Sequence, residues 1–492
     1  MKQQAIRNSS VVFFLGVIAA VVGYATRIFL ARSLSVEDFG LFYSVLAAVG
    51  AINIFKDLGI NTALVRFVPE FIIRKEKGNV RKAFYSSVLV QFVIVGSIAA
   101  IFLVFVSLLA DYALLFNILI FSILFSVVFV AAQSTLQGMQ KMREYSLVEP
   151  FRTLSTFGLM AALIGMGVIG AAIGYTVAAA LTSVVFFFIL TKRFPDILSK
   201  DRLSSKMTKQ LLGFGLVFLA GAFATYFIQY TDTLVLSITR TFTEVGYYQA
   251  AVSTSQMLWI FVIPMASVLF PLVSALWASK KLTELEKTVR TFSTLAFFAM
   301  LPLSIIVFSF PEIVLNIFFG SNFLQAAHAL RILSAGAVFF SLFFIFQTTL
   351  LGIGKPRINT KIIVLVSLFN LAANIFIIPR FGIEGAAVVS AFSYFIGTVV
   401  TYKYVRRFIG IKFPVTKMLK IFLAAIVTVI FIYVVKAPIH PHAYIEAFVV
   451  LVPAFLIYTA AIVLTKGVER SDLDELRNNG VPVPKLFYRV VR

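Results

Sequence analysis

Residues 113–135 read ALLFNILIFSILFSVVFVAAQST, an apolar run without a single charge. As an α-helix it is about 34 Å long at 1.5 Å per residue, enough to cross a hydrocarbon core about 30 Å thick. Lipid offers the backbone no partner, so such a segment crosses as a helix that satisfies its own N–H and C=O groups. Runs of this character recur on both sides. They predict helices near 11–31, 39–57, 84–108, 113–135, 146–166, 168–191, 211–236, 245–276, 291–310, 329–351, 359–379, 383–404, 417–435 and 443–465. The expected fold is an all-α integral membrane protein of about fourteen transmembrane helices.

Composition agrees. Of 492 residues 60% are hydrophobic, 13% are charged and 54 are Phe, too apolar for one water-soluble core and too long for one domain. A secretory signal is the alternative for the first run. Its apolar stretch exceeds the usual length of roughly 7 to 15 residues, and no small-residue cleavage site follows.

In a soluble chain the net charge of +22 would suggest nucleic acid; here its placement makes it a topology signal. With the amino terminus inside, cytoplasmic segments hold all 43 Lys and Arg except Arg27, Arg32, Arg240, Arg331, Arg380 and Lys436. That asymmetry follows the positive-inside rule at every alternate loop and predicts a multi-pass protein of the cell membrane with both termini cytoplasmic. With no cysteine there is no disulfide framework, thiolate metal site or thiol nucleophile. The pair His440 and His442 flanks Pro441 in a short loop that reads as a solvated turn, so no metal or other cofactor is expected.

The chain repeats itself. Val36-Glu37-Asp38-Phe39-Gly40-Leu41-Phe42 returns as Thr243-Glu244-Val245-Gly246-Tyr247-Tyr248, acid before Gly and aromatic after it. Leu136-Gln137-Gly138-Met139-Gln140-Lys141 returns as Leu350-Leu351-Gly352-Ile353-Gly354-Lys355. Gly167-Val168-Ile169-Gly170-Ala171-Ala172 returns as Gly382-Ile383-Glu384-Gly385-Ala386-Ala387. Six helices separate the copies, so corresponding helices run the same way and the repeat is parallel, with its pseudo-two-fold along the membrane normal. The predicted organisation is an N-lobe over 1–191 (helices 1–6), a cytoplasmic linker over 192–210 and a C-lobe over 211–408 (helices 7–12). Two extra helices over 409–465 and a cytoplasmic tail over 466–492 complete it.

Four stretches together carry a family likeness over nearly the whole chain. They are Ala31-Arg32-Ser33-Leu34-Ser35-Val36-Glu37-Asp38-Phe39-Gly40-Leu41-Phe42, Asp57-Leu58-Gly59-Ile60-Asn61-Thr62-Ala63-Leu64-Val65-Arg66, Leu351-Gly352-Ile353-Gly354-Lys355-Pro356, and Asn370 to Ala387 with Asn374 and Ile378-Pro379. The chain resembles the polysaccharide exporter and O-antigen flippase branch of the multidrug/oligosaccharidyl-lipid/polysaccharide exporter superfamily. The resemblance implies a two-lobe fold that moves polyprenyl-linked sugars from the inner to the outer leaflet. Its substrate would be a lipid-linked sugar, its surroundings membrane lipid, and its candidate partners glycosyltransferases of a polysaccharide pathway. One departure stands out: the seventh helix of such proteins commonly reads Ser-Asp-Arg, whereas this chain has Thr231-Asp232-Thr233, which puts a cationic contact from that helix in doubt.

Ionisable groups inside a span cost roughly 2.5 to 3.5 kcal/mol at the centre, so they mark site candidates. Arg27 sits about 24 Å along the first helix, and Asp232 lies about as deep in the seventh. Both are candidates for the wall of a central cleft; snorkelling by Arg27 and local capping of Asp232 are the alternatives. Arg152 either meets an incoming anionic headgroup or pairs with Glu149 one turn away. Asp57 and Arg66, with Glu70, read as a salt bridge or a substrate contact, and Arg331 beside His328 as a contact to departing substrate or to lipid phosphate. Gln229 and Tyr230 are candidates for sugar contact, with helix packing as the alternative. Gly352-Ile353-Gly354-Lys355-Pro356 lacks the spacing and the Ser or Thr of a phosphate loop.

The expected mechanism is lobe rocking around a cleft while the polyprenyl tail stays in lipid, with no bond made or broken. Three rivals stand beside it. A multidrug or metabolite cation antiporter of the same superfamily would favour acids over Arg in the cleft. A membrane glycan polymerase or ligase would need larger outer loops than the short ones here. A non-transporting scaffold is opposed by no sequence feature.

Overall fold

The computed structural model describes residues 2–106, 112–199, 203–412, 415–436, 453–454, 456–461 and 474. Among them every regular element is helical, and the chain divides into two compact units, Met1–Gly246 and Tyr247–Arg492.

The first unit holds α1 (Lys2–Ser33), α2 (Val36–Asp57), α3 (Ile60–Ile73), α4 (Lys77–Val106), α5 (Ala113–Gly138), α6 (Met142–Leu163), α7 (Gly167–Arg193) and α8 (Ser205–Thr239). Helix α9 (Phe242–Met257) begins in it. The second unit holds α10 (Val262–Ala278), α11 (Leu282–Ser309), α12 (Pro311–Phe318), α13 (Ala327–Gly352), α14 (Pro356–Ile409) and α15 (Val415–Lys436). Helix α8, which the repeat places at the head of its second copy, packs in the first unit against α2, α3 and α4.

Eight helices among the described residues are long and apolar enough to cross a membrane, or up to ten if each of two bent pairs is one span. Two of the eight are doubled. Met142–Arg193 is α6 and α7 folded onto each other, so closely that a Cβ on Gly174 would stand 2.7 Å from the Met160 nitrogen. In α14 the Asn370 amide donates to Ser393 Oγ at 3.0 Å, residues that a straight helix would hold about 34 Å apart. Helix α14 is therefore a hairpin bent at Gly382, whose φ and ψ of 55° and −136° suit glycine alone. The result is a multi-pass helical membrane protein. The expected fourteenth helix near 443–465, the loop of His440 and His442 and the tail from 466 lie outside the described residues but for short pieces.

Lipid solvates the outside and small residues close the inside. Phe188, Val184, Phe376 and Ile238 are 66%, 68%, 73% and 83% exposed, a surface tolerable against acyl chains and not against water. Between helices, glycines and hydroxyl residues let backbones approach.

Both copies of the repeat make the same local bonds. At the end of α5, Gln140 takes φ 57° and the Lys141 N–H reaches the Leu136 carbonyl at 2.9 Å; at the end of α13, Gly354 takes φ 74° and Lys355 reaches Leu350 at 2.9 Å. Gly167, between α6 and α7, has φ 66° and ψ −145°, close to the values at Gly382. The Ser183 hydroxyl donates to the Phe125 carbonyl between α7 and α5, and Thr398 donates to Phe339 at 2.8 Å between α14 and α13.

Two short elements went unforeseen. The connector after α2 contains α3, whose buried face of Ile60, Ala63, Leu64, Val68 and Phe71 has helical spacing but is too short to span. Helix α12 and the 3-10 turn Ser321–Ala326 follow α11.

Candidate functional site

In the first unit, the polar groups of the spans gather around α2. Its start is set by Ser35, whose hydroxyl accepts the Asp38 N–H at 3.0 Å, with Glu37 and Asp38 placed against the positive helix end. Its end is set by Leu58 and Gly59, both at positive φ, and by Asp57, which accepts from the backbone and side-chain N–H groups of Asn61 at 2.9 and 2.6 Å. These ends place Tyr43 and Lys56 roughly 20 Å apart along the axis.

At the Tyr43 level the Arg27 guanidinium of α1 lies 5.8 Å from the Tyr43 ring centre, and its charge acts on the Tyr43 hydroxyl. Tyr230 of α8 stands in the field of Arg27, Tyr175, Asp232 and Arg152. Its ring stacks on Tyr226 at 4.7 Å, and the Tyr226 hydroxyl donates to the Ala47 carbonyl of α2. Asp232 is buried and accepts the Thr233 N–H at 2.8 Å. Below this level Arg152 of α6 donates from Nε and Nη2 to one Glu149 oxygen, at 3.1 and 2.8 Å, beside Tyr175 of α7.

Arg152, Glu149, Thr156 and Tyr175 then line a cavity of about 220 Å³ together with Lys56 of α2 and Ser122 and Ser126 of α5. Lys56 is only 5% exposed and donates to Ser126 Oγ at 2.7 Å. From Arg27 to Lys56 the first unit thus carries a linked tract of three cations, two carboxylates and several hydroxyls through helices that are otherwise apolar.

Four sequence candidates, Arg27, Arg152, Tyr230 and Asp232, meet in this tract. The others lie apart. Arg66 and Arg74 share Glu70 at 3.5 and 2.7 Å on the exposed face of α3. Asp57 caps α3 at the edge of the tract, where its charge acts on the neighbouring Lys56, and Gln229 is exposed on α8. Arg331, in the second unit, pairs with Glu312 at 3.1 Å and donates to the Phe308 carbonyl at 3.0 Å. Sequence reasoning missed Tyr43, Tyr175 and Lys56. Lys56 left one signal: it precedes the capping Asp57 and so is still within the helix.

A family model described as polysaccharide biosynthesis protein matches residues 5–277, and a second, MatE, matches 218–376. An uncharacterized membrane protein of Methanocaldococcus jannaschii is 27% identical over 485 residues, covering 94% of this chain and 95% of that one. A probable low-salt glycan biosynthesis flippase, Agl15, of Haloferax volcanii is 23% identical over 476 residues, covering 96% and 98%. Among solved structures, the lipid II flippase MurJ in an inward closed conformation matches with a TM-score of 0.76 at 16% identity, covering 93% of this chain and 98% of that chain. The fold is thus that of the multidrug and lipid-linked sugar exporters, and with more than half its length under the first model, the chain belongs to the polysaccharide biosynthesis protein family.

Proposed function

We propose that the protein is a flippase. It carries polyprenyl-linked oligosaccharide or polysaccharide precursors from the inner to the outer leaflet of the cell membrane, with both termini cytoplasmic, and makes or breaks no bond. The observation that carries this reading is the tract from Arg27 to Lys56, since charges in a span are costly and persist where they face a polar passenger. A sugar diphosphate is such a passenger: its oxygens accept from guanidinium and ammonium groups, and its sugars stack on rings such as Tyr226 and Tyr230. Relatives named as flippases over nearly the full length support the same activity.

The lobes are read as 1–191 and 211–408, joined by the linker 192–210, and the tract then belongs to the wall that receives the headgroup. An inside-negative membrane potential favours outward motion of the anion by about 2.3 kcal/mol per charge per 100 mV where it crosses the full field. Glycosyltransferases of the same pathway would supply the substrate.

The test is reconstitution. Vesicles holding the purified protein and a lipid-linked oligosaccharide are treated with an externally added glycosidase that cannot cross the bilayer. The reading predicts that the protected fraction falls far faster than in protein-free vesicles. Equal rates would overturn it, and proton- or sodium-driven efflux of organic cations in its place would favour the antiporter.

A further inference from the structure

The inner ends of the two repeated hairpins differ in charge. In the first unit the hairpin is α6 with α7, and in the second it is the two arms of α14. Offsets of 214 residues in the first arm and 215 in the second bring them into register, as in the matching bonds of Ser183 to Phe125 and of Thr398 to Phe339. Glu144 and Arg193, an ion pair at 2.5 Å, then correspond to Ile358 and Phe408. Leu147, Phe188 and Thr191 correspond to Lys361, Lys403 and Arg406. The second unit has lost an acid and gained cations, two of them where the first exposes Leu147 and Phe188.

Contacts between the arms set their levels. Lys355 lies over the Phe408 ring at 5.2 Å, and the Asn370 amide reaches Ser393. Arg357 and Lys361 of one arm therefore stand level with residues 402–406 of the other, in one band with Lys403, Arg406 and Arg407. All five are exposed, and among the described residues no carboxylate pairs with any of them. Membrane orientation asks for basic residues on this side, but the first unit meets that demand with a cation that Glu144 neutralises. Helix electrostatics oppose part of the band, since Arg357 and Lys361 sit in the first two turns of α14, at its positive end.

Beyond the band the surface is apolar. Phe369, Phe392, Phe395 and Phe339 form a row of rings, with successive centres 5.9, 5.9 and 5.2 Å apart, that crosses both arms and reaches α13. Phe392 is 51% exposed and lies about 16 Å along the helix from Lys403, the depth of one leaflet in a core about 30 Å thick.

We propose that this face of α14 holds an anionic phospholipid of the leaflet that meets the basic loops, its phosphate in the cationic band and an acyl chain along the ring row. Guanidinium and ammonium groups suit phosphate oxygens, and a cationic rim above an apolar face complements a molecule that is anionic at one end only. An acidic soluble partner would match the rim and leave the rings without a counterpart. The inference stands apart from the flippase reading.

The chain has no cysteine, so Phe392→Cys, or Val177→Cys at the corresponding place in α7, carries a single fluorophore in the full-length protein. Phosphatidylcholine vesicles holding it receive rising fractions of dibrominated phosphatidylglycerol or dibrominated phosphatidylcholine, whose bromines quench on contact. At Phe392 half-quenching is expected at a mole fraction about fivefold or more lower for phosphatidylglycerol, the effect of at least one cation near an anionic headgroup. At Val177 the two lipids should agree within about twofold, and at Phe392 the preference should shrink as salt is added. Combining Lys361→Leu, Lys403→Phe and Arg406→Thr, which copies the first unit, should abolish the preference. Should that variant fail to fold, Ile358→Glu, which restores the first unit's acid, should lower it severalfold. Equal quenching by both lipids at Phe392, the same preference at Val177, or a preference unmoved by both variants overturns the proposal. A preference that appears only once the tail acids Glu469, Asp472, Asp474 and Glu475 are neutralised gives the band to the tail and overturns it as well.

Discussion

Replacing either of two glycines by alanine should open the protein from opposite ends. Near the end of α2, the backbone meets α8 so closely that a Cβ on Gly215 would stand 2.4 Å from the Leu58 carbonyl oxygen and 2.8 Å from the Gly59 carbonyl carbon. Near the start of α2, a Cβ on Gly40 would stand 1.8 Å from the Phe242 carbonyl oxygen and 2.6 Å from the Gly246 nitrogen. Both obstacles are backbone, so no rotamer change relieves them and a helix must move, at about 1 to 3 kcal/mol for overpacking. If α2 parts from α8 near Gly215 while it stays packed on α9 near Gly40, or the reverse, each alanine penalises only the state closed at its own end. The corresponding shift in population is about 5- to 150-fold. The chain has no cysteine, so a single Gln229→Cys reports without background. An impermeant maleimide is applied from either face of oriented vesicles. Gly215→Ala should speed labelling from the face of the basic loops and Gly40→Ala from the opposite face. Shifts in the same direction, or none in either variant, would refute the reasoning.

Other substitutions test the tract and its scaffold. Arg27→Ala should slow flipping about tenfold or more and Arg27→Lys less, because a charged hydrogen bond contributes about 1.5 to 3 kcal/mol; the glycosidase assay measures both. At the α6–α7 turn Gly167 has φ 66° with nothing near its missing Cβ, whereas Gly165 has equal space and no positive φ. Gly167→Ala should therefore lose about 1 to 3 kcal/mol to backbone strain alone, and Gly165→Ala should be close to neutral, as read by denaturant titration in detergent. Tyr226→Phe removes the donor to the Ala47 carbonyl and should cost about 0.5 to 1.5 kcal/mol in the same titration, while the stacked ring on Tyr230 stays.

Much of the fold was legible because lipid makes a simple demand: long uncharged runs such as 113–135 have no other stable form. Glycine and acid positions made the repeat legible as well, and the matching conformations of Gly167 and Gly382 explain why those glycines recur. Helix α3 escaped notice because its apolar face is shared among charges, so hydropathy averages away. Within the tract, Arg27, Arg152 and Asp232 could be found because a charge in an apolar run is conspicuous. Tyr43 and Tyr175 could not, since tyrosine is ordinary in membrane helices. Lys56, in the last turn of the expected helix 39–57, counted as one more basic residue of the cytoplasmic side, and only its burial and its bond to Ser126 set it apart. Arg66 and Asp57 sit among the same signals, and only the contacts separate their ion pair and helix cap from the tract.

The central claim is that a polar headgroup travels along the tract in the first unit. Photocrosslinking tests it most directly, with p-benzoylphenylalanine placed at Tyr230 or Tyr175, or at the lipid-facing Phe188, and a polyprenyl diphosphate oligosaccharide radiolabelled in its sugar. The account predicts that label attaches at Tyr230 and Tyr175, is displaced by excess unlabelled lipid-linked sugar, and stays at background at Phe188. Equal labelling at all three positions, or labelling at Phe188 alone, would contradict it.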